Sequence, residues 1–455
     1  MFIEQSAERI RLVRALFVLA GLLPCAALVT FAVWWNSARH VTAIERECAV
    51  ALGMPVEIGR IEHLRPGALR LEGVTVRADT GELILQMPTV DVESSATEIR
   101  LATGRLECTP RAVAFLTQQA GGWLGQPERF SKALVIDVSE LAWRLDDSMQ
   151  PPSPPAGRSA GIHAECVSVA GVRAVRVRRE PQTTDEIRVQ STIVAAADAA
   201  NAAAGLATNA RRLDVQGVID EPLPAAIVAA LAQLPVTAGL TPGSEALVRG
   251  RITAVFGTGG WSGDCAGALE RIDLATCTAN ATQRLTGEAD VTISSLRFDR
   301  GRLVDCDANC SATAGRVSQA FLNAIAGVLG CRAGPAFRSL ASDQIRSYDD
   351  LACRIRIDGR GLTIRAPGDR AGVVMRSQGL ALLEEPAEPV PTERLAWLFS
   401  PPGRVPVPAS DESAWLLSWL PISGQNGTSS GGLPSAAGVR PLPPRAERPA
   451  SREEF

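Results

Sequence analysis

Residues 67–92 read GALRLEGVTVRADTGELILQMPTVDV, and this stretch decides the fold. Leu69 and Leu71 alternate with charged residues. After Gly73 the phase flips, and Val74 and Val76 carry the pattern. Leu83, Leu85 and Met87 alternate next, and after Pro88 the phase flips again to Val90 and Val92. A side-chain period of two puts one face of each strand toward a core. A flip inside a strand is what a bulge or sharp bend produces, with added twist. Repeated flips predict a strongly curved, mainly antiparallel sheet. A parallel βαβ core would instead read as unbroken apolar runs.

Working outward, the habit recurs at Leu134, Ile136 and Val138, then Leu141, Trp143 and Leu145. Further short strands are predicted at Val167–Val177, Ile187–Val194, Leu213–Val218, Ala246–Phe256, Leu269–Leu274, Ala289–Phe298, Cys353–Ile357 and Leu362–Ile364. Asp358-Gly359-Arg360-Gly361 makes a hairpin turn between the last two. Helices are few: Pro110–Leu124, Pro222–Leu234 and Arg316–Leu329, the last with Val317, Phe321, Leu322, Ile325 and Val328 at helical spacing. The Pro-rich 150–156 segment reads as a loop, and so does the alanine run 195–207.

Toward the N-terminus, Ala15–Trp35 reads ALFVLAGLLPCAALVTFAVWW, 21 residues without a charge. At about 1.5 Å per residue this spans about 30 Å, a hydrocarbon core's thickness. Arg9, Arg11 and Arg14 precede it, and Trp34 and Trp35 close it. Positive flanks stay in the cytoplasm, so the N-terminus is expected inside and the bulk outside. A cleaved signal peptide would have a shorter core and a small-x-small site, which Trp34-Trp35-Asn36-Ser37-Ala38 lacks. Cys25 after Leu22-Leu23-Pro24 is a poor lipoprotein site, since a proline precedes it and the apolar run continues. Pro24 is tolerable within a bilayer helix. Val41, Ile44, Cys48 and Leu52 then share one side of a second helix, which Gly53 and Pro55 end.

The 455 residues carry a net charge of −3, which argues against a nucleic-acid partner. Lys132 is the only lysine against 45 arginines, a codon-level skew without functional content. Of ten cysteines, nine follow the membrane segment, an odd number for an oxidising compartment. Cys306 with Cys310 and Cys265 with Cys277 are the disulfide candidates by proximity. Cys108, Cys166 and Cys353 read as buried thiols. Zinc lacks a C-x-x-C pair, and His40, His63 and His163 are far apart in sequence.

From Glu384 onward the composition shifts: 13 of the 30 prolines lie beyond it, among Gly and Ser. Such a tail cannot fold alone and is expected to be disordered. Two apolar islands interrupt it, at 395–399 with Trp397 and at 415–420 with Trp415 and Trp419. They either dock back onto the preceding domain or recruit an envelope partner or membrane surface.

Chemistry-bearing motifs are weak. Gly427-Thr428-Ser429-Ser430-Gly431 fits G-x-S-x-G but sits in the tail, with no histidine after it. Gly257-Thr258-Gly259-Gly260 opens no helix. Asp349-Asp350 and Asp305/Asp307 are acidic pairs that could bind a cation but read as solvated turn residues, Asn280-Ala281-Thr282 as a sequon without context, and His63 as a loop or strand-end residue. No constellation supports catalysis, and no cofactor is expected.

The opening resembles AsmA-like envelope proteins, a family related to TamB and the bridge-like lipid-transfer proteins. The resemblance lies in Leu52-Gly53-Met54-Pro55-Val56-Glu57-Ile58-Gly59, Gly67–Val76 and Pro88–Val92, and again in Ile357–Ile364 and Met375–Leu380. It implies a periplasmic, curved sheet with an apolar inner face and a role in envelope lipid homeostasis, lipid transport or outer-membrane biogenesis. Acyl chains gain about 0.8 kcal/mol per buried CH₂, so an apolar trough needs no specific polar group. Leu69, Leu71, Val90, Val92, Leu134, Ile136 and Val138 are the candidate lipid contacts, with plain core packing as the competing role. The expectation is therefore a β-rich α+β protein in three parts: anchor 1–36, AsmA-like domain 37–383 and Pro/Gly/Ser-rich tail 384–455. The expected role is non-enzymatic lipid handling at the bacterial inner membrane, with phospholipid as partner. The alternative is a scaffold that recruits proteins through its tail.

Overall fold

The computed structural model describes residues 7–35, 37–78, 80–125, 132–144, 161–169, 172–180, 184–195, 209–231, 242–257, 260–279, 284–338, 340–397 and 419–420. The chain opens with helix α1 (Ala7–Phe17), a π-helical turn (Val18–Leu22) and helix α2 (Leu23–Trp35). The window Arg11–Thr30 is apolar, with mean hydropathy 2.3 and nothing packed against it. It is a candidate membrane anchor. The π-turn explains how Pro24 is accommodated. Leu23 N–H bonds back to the Val18 carbonyl, a wider ring just ahead of the residue that cannot donate. Helix α3 (Ala38–Leu52) follows and ends where Gly53 adopts φ 72° and donates to the Ala49 carbonyl at 2.8 Å. Its Val41, Ile44, Cys48 and Leu52 pack on the N-terminal core, as their spacing predicts.

Nineteen strands form one sheet. β1 (Val56–Glu57) and β2 (Arg60–Arg65) share one edge of β3 (Ala68–Arg77). The sheet continues in chain order through β4 (Leu83–Ser94), β5 (Glu98–Cys108), β6 (Ala133–Trp143), β7 (Gly161–Val169), β8 (Val172–Glu180) and β9 (Glu186–Ala195). Then come β10 (Asn209–Pro224), β11 (Leu247–Gly257), β12 (Gly260–Asp273), β13 (Glu288–Asp299) and β14 (Arg302–Ala312). Here the chain leaves the sheet for β15 (Gly315–Ser318), which pairs with β17 (Ile345–Tyr348). β16 (Arg332–Ala333) lies between those two strands in sequence. β18 (Asp350–Asp358) returns to pair with β14. β19 (Gly361–Arg365) and β20 (Val373–Ser377) share the far edge of β18, and β21 (Leu380–Glu384) joins β20 to β16. Every pairing is antiparallel except β5 with β6, which the crossover helix α4 (Pro110–Gly125) separates in sequence. Short helices α5 (Ala225–Leu231) and α6 (Leu274–Cys277) and the longer α7 (Gln319–Leu329) complete the body, with α8 (Arg394–Trp397) at its end.

The sheet is open and not strongly curled. The strong curvature expected from the phase flips is therefore not supported, and the register shows what the flips do instead. β3 and β4 stay in one register from Ala68↔Glu93 through Val76↔Leu85. The two flips lie opposite each other, because that register sets Gly73 against Pro88. Gly73 takes φ 65°, which turns the chain by one side chain and returns Leu71 and Val74 to the same core. Gly59 closes in on the other side, its N–H donating to the Glu72 carbonyl at 2.9 Å. The pairing of β3 with β1, β2 and β4 keeps one register through this point.

One strand and two helix expectations change, the Pro222–Leu234 helix beginning only at Ala225 because β10 runs to Pro224. Val167–Val177 is not one strand but a hairpin, with Val169 paired to Val172. The predicted Arg316–Leu329 helix begins only at Gln319. Val317 is fully buried in β15, and the Ser318 hydroxyl caps the helix by accepting from Phe321 N–H at 3.3 Å. The Asp358–Gly361 hairpin forms as expected, with those two residues paired across it. The 150–156 loop lies outside the described residues, as do most of 195–207 and most of the tail.

Candidate functional site: an amphipathic sheet with an uncovered centre

Register alone defines one face. Leu69 pairs with Val92, Val92 with Leu101, Leu101 with Ile136, Ile136 with Ala164, Ala164 with Val177, and Val177 with Ile187. The row continues through Gly217, Ile252, Cys265, Leu296, Cys306, Ile357 and Leu362. Directly paired residues lie on the same side of a sheet. An unbroken apolar row therefore crosses from β3 to β19. Strands spaced about 4.8 Å apart make it roughly 60 Å long. A second row runs beside it: Ile99, Leu134, Cys166, Val175, Val189, Val215, Ala254, Gly263, Phe298 and Leu303.

Helices cover this face at its two ends. At the N-terminal end α3, α4 and α5 lie on it. Phe115 and Ile227 are buried with Leu71, Val90 and Val138, and Trp123 with Cys166 and Val175. Arg173 fastens α4, its Nη1 donating to the Trp123 carbonyl at 2.5 Å and its guanidinium 4.9 Å from the indole centre. The Gln119 side chain ties α4 to the end of α3 by donating to the Leu52 carbonyl at 2.9 Å. At the C-terminal end α7 and the segment around Val390 cover Phe298, Ile357, Leu362 and Leu383. Trp419 sets its ring against Trp261 and Phe298, with centres 5.9 and 5.4 Å apart, and Leu420 is buried beside it.

Between the two covers the face is open among the described residues. Ile193, Ile252 and Phe256 lie on the apolar side of β9 and β11 yet are 56%, 44% and 41% exposed. Isolated exposed apolar residues are ordinary, but Ile252 belongs to the first row and Phe256 is flanked by Leu213 and Trp261. A recess of about 380 Å³ also opens beyond the C-terminal end of α3, lined by Met54, Ile84, Arg111, Ala114, Phe115 and Gln118, with Arg111 paired to Glu82.

The other face is charged across the same strands. Arg70 grips Asp91 at 2.7 and 3.0 Å, and Arg100 reaches Asp137 at 2.8 Å. His163 lies between Asp137 at 2.6 Å and Glu165 at 2.8 Å. Arg176 and Arg178 both meet Glu186, and Arg354 grips Asp307. The hydrogen bonds to Glu165 and Asp137 raise the His163 pKa. Burial alone would raise the Asp137 carboxyl, but the bonds from His163 and Arg100 outweigh it and bring it down.

The residues singled out from sequence fall as follows. Leu71, Val90 and Val138 are buried in the N-terminal core. Leu69, Val92 and Ile136 are partly buried against it, and Leu134 against the Trp123 cluster. All seven belong to the apolar side, beneath or beside the helical cover. The open centre at Ile193, Ile252 and Phe256 was missed as a site, because alternation marks a face but not what lies over it. Cys108 and Cys166 are buried, which pushes their thiols to about 12 and about 11. Cys306 and Cys310 cannot bridge. They are four residues apart on one strand, about 13 Å, beyond the roughly 7 Å limit for a disulfide. Cys265 sits on β12, separated by roughly 25 Å of strand from the helix carrying Cys277. His63 stands on β2 with its ring 5.3 Å from that of His40, a pair not foreseen.

The acidic pairs do structural work: Asp307 holds Arg354, Asp305 accepts from Ser295, Asp350 pairs with Arg370, and Asp349 accepts from Gly379 N–H. Gly257 and Gly260 pair across a β-hairpin, not a phosphate loop. Among the described residues no group of three or more His, Cys, Asp or Glu is placed to hold a metal ion. Asn280, Ser429 and Trp415 lie outside the described residues. No family model, curated protein or solved structure matches the chain.

Proposed function

We propose that this chain is a membrane-anchored, non-enzymatic envelope protein that shields lipid acyl chains on the apolar face of its sheet. The reading places the N-terminus in the cytoplasm and the sheet in the periplasm of a bacterial envelope, in keeping with the AsmA-like resemblance of its two ends. One observation carries it: an apolar row unbroken across neighbouring strands, left open at Ile252, with exposed Phe256 and Ile193 on the same side of β11 and β9. Each methylene moved from water onto such a surface contributes about 0.8 kcal/mol. A single acyl chain therefore supplies binding energy without a polar anchor. The charged face, neutralised pair by pair, faces water.

The test is photo-crosslinking of the full chain in its membrane, with the photoreactive residue placed at Ile252 or Phe256. Crosslinked phospholipid is expected at both positions, and much less at buried Val90. Absence of lipid adducts at Ile252 and Phe256 overturns the reading. The scaffold alternative predicts loss of function on deleting residues 384–455. The packing of Trp419 on Trp261 and Phe298 favours docking of that island onto its own domain.

A further inference from the structure

We infer that Cys310 and Cys353 are a redox-active pair that closes into a cross-strand disulfide when the chain meets an organic disulfide oxidant. The two residues are directly opposed on the antiparallel strands β14 and β18. Opposed residues in such a pair have Cα atoms about 4.5–5.5 Å apart, within the roughly 4.4–6.8 Å that a disulfide spans. Both side chains lie on the apolar side, in the C-terminal core. That general spacing places the two within reach of a bond.

The chemistry has a defined polarity. The two thiols interact, and the interaction lowers the Cys310 pKa and raises that of Cys353. Cys353 is buried, whereas Cys310 is partly accessible. The Cys310 thiolate attacks one sulfur of the oxidant, forming a mixed disulfide and releasing one thiolate. Cys353 then loses its proton and attacks the Cys310 sulfur, releasing the second thiolate. Two protein thiols are oxidised, and one oxidant disulfide is reduced to two thiols. The bond would close the excursion that carries β15, α7, β16 and β17, fastening the chain where it leaves the sheet to where it returns.

No other cysteine is so placed. Cys306 shares a strand with Cys310, and Cys331 is buried with its thiol pushed up to about 12. The experiment uses the full chain in detergent, incubated with oxidised glutathione, blocked with N-ethylmaleimide after unfolding, and digested. The expected product is a linked peptide pair containing Cys310 and Cys353, lost on reduction. The unfolding midpoint should also rise on oxidation and fall back with reductant. Cys331→Ser should leave the linked pair intact, and Cys310→Ser should abolish it. Peptide mapping of the unsubstituted chain decides the matter even if that variant misfolds. Full alkylation of both cysteines, a glutathione adduct left on Cys310, or a Cys331–Cys353 link would each overturn the assignment.

Discussion

The covered N-terminal end of the sheet and its open centre carry the same apolar alternation with opposite consequences. Beneath α4 and α5, Phe115 and Ile227 shut Leu71, Val90 and Val138 away from water. Across β9 to β11, Ile252 continues the first row, and it remains wet together with Ile193 and Phe256 on the same side. The strands do not differ in kind; the overlying helices do. A strand's pattern therefore fixes a side, and cover from elsewhere in the chain decides whether that side becomes core or binding surface.

Substitution should separate the two regions sharply. Phe115→Ala in the covered end removes a side chain 5% exposed and should cost about 3–5 kcal/mol. Ile252→Ala in the centre should cost under about 1 kcal/mol, because much of its surface is already in water. Denaturant titration of the full chain, followed by tryptophan fluorescence, measures both. Equal losses would mean that the centre is packed like the end. Loss of lipid crosslinking in Ile252→Ala with stability kept would sharpen the contrast into function.

Gly73 tests why the covered end holds its shape. Its φ of 65° is a conformation that costs an alanine about 1–2 kcal/mol, so Gly73→Ala should destabilise by that amount. Gly104, on β5 two strands away, has no such φ and no atom near where a Cβ would stand. Gly104→Ala should be close to neutral in the same titration.

How much of this was legible follows from the same physics. Leu69–Val92 announced strands because large apolar residues alternate with charges there. β14 escaped because, past Leu303, its apolar side is Cys306, Ala308, Cys310 and Ala312, side chains too small or too ambiguous to mark a face. Reading Cys306 with Cys310 as partners followed sequence proximity, whereas the strand sets them apart and brings Cys353 opposite Cys310. The phase flips at Gly73 and Pro88 were visible, but their mutual opposition depends on register, which no single strand contains. The same limit hid the open centre: Ile252 and Phe256 read like any inward residue until the helices are placed.

The smallest expected effect lies on the charged face, at His163. Its pKa is raised by bonds to Glu165 and then Asp137, so its contribution is complete below the unfolded value of 6.5. That contribution disappears as pH rises through the folded value. Glu165 and Asp137 are both lowered, so theirs is present above their unfolded values of 4.5 and 3.8 and lost on acidification. All three act together only between about pH 4.5 and 6.5. The carboxylates are about one-third exposed, and solvent screening holds the cluster to roughly 0.5–1 kcal/mol. His163→Gln should therefore narrow the stability gap to the unsubstituted chain from pH 5.5 toward pH 9, with little change in lipid crosslinking at Ile252. A gap that widens with pH would show that the imidazole is held neutral, and the charged face would then be less evenly neutralised than its pairs imply.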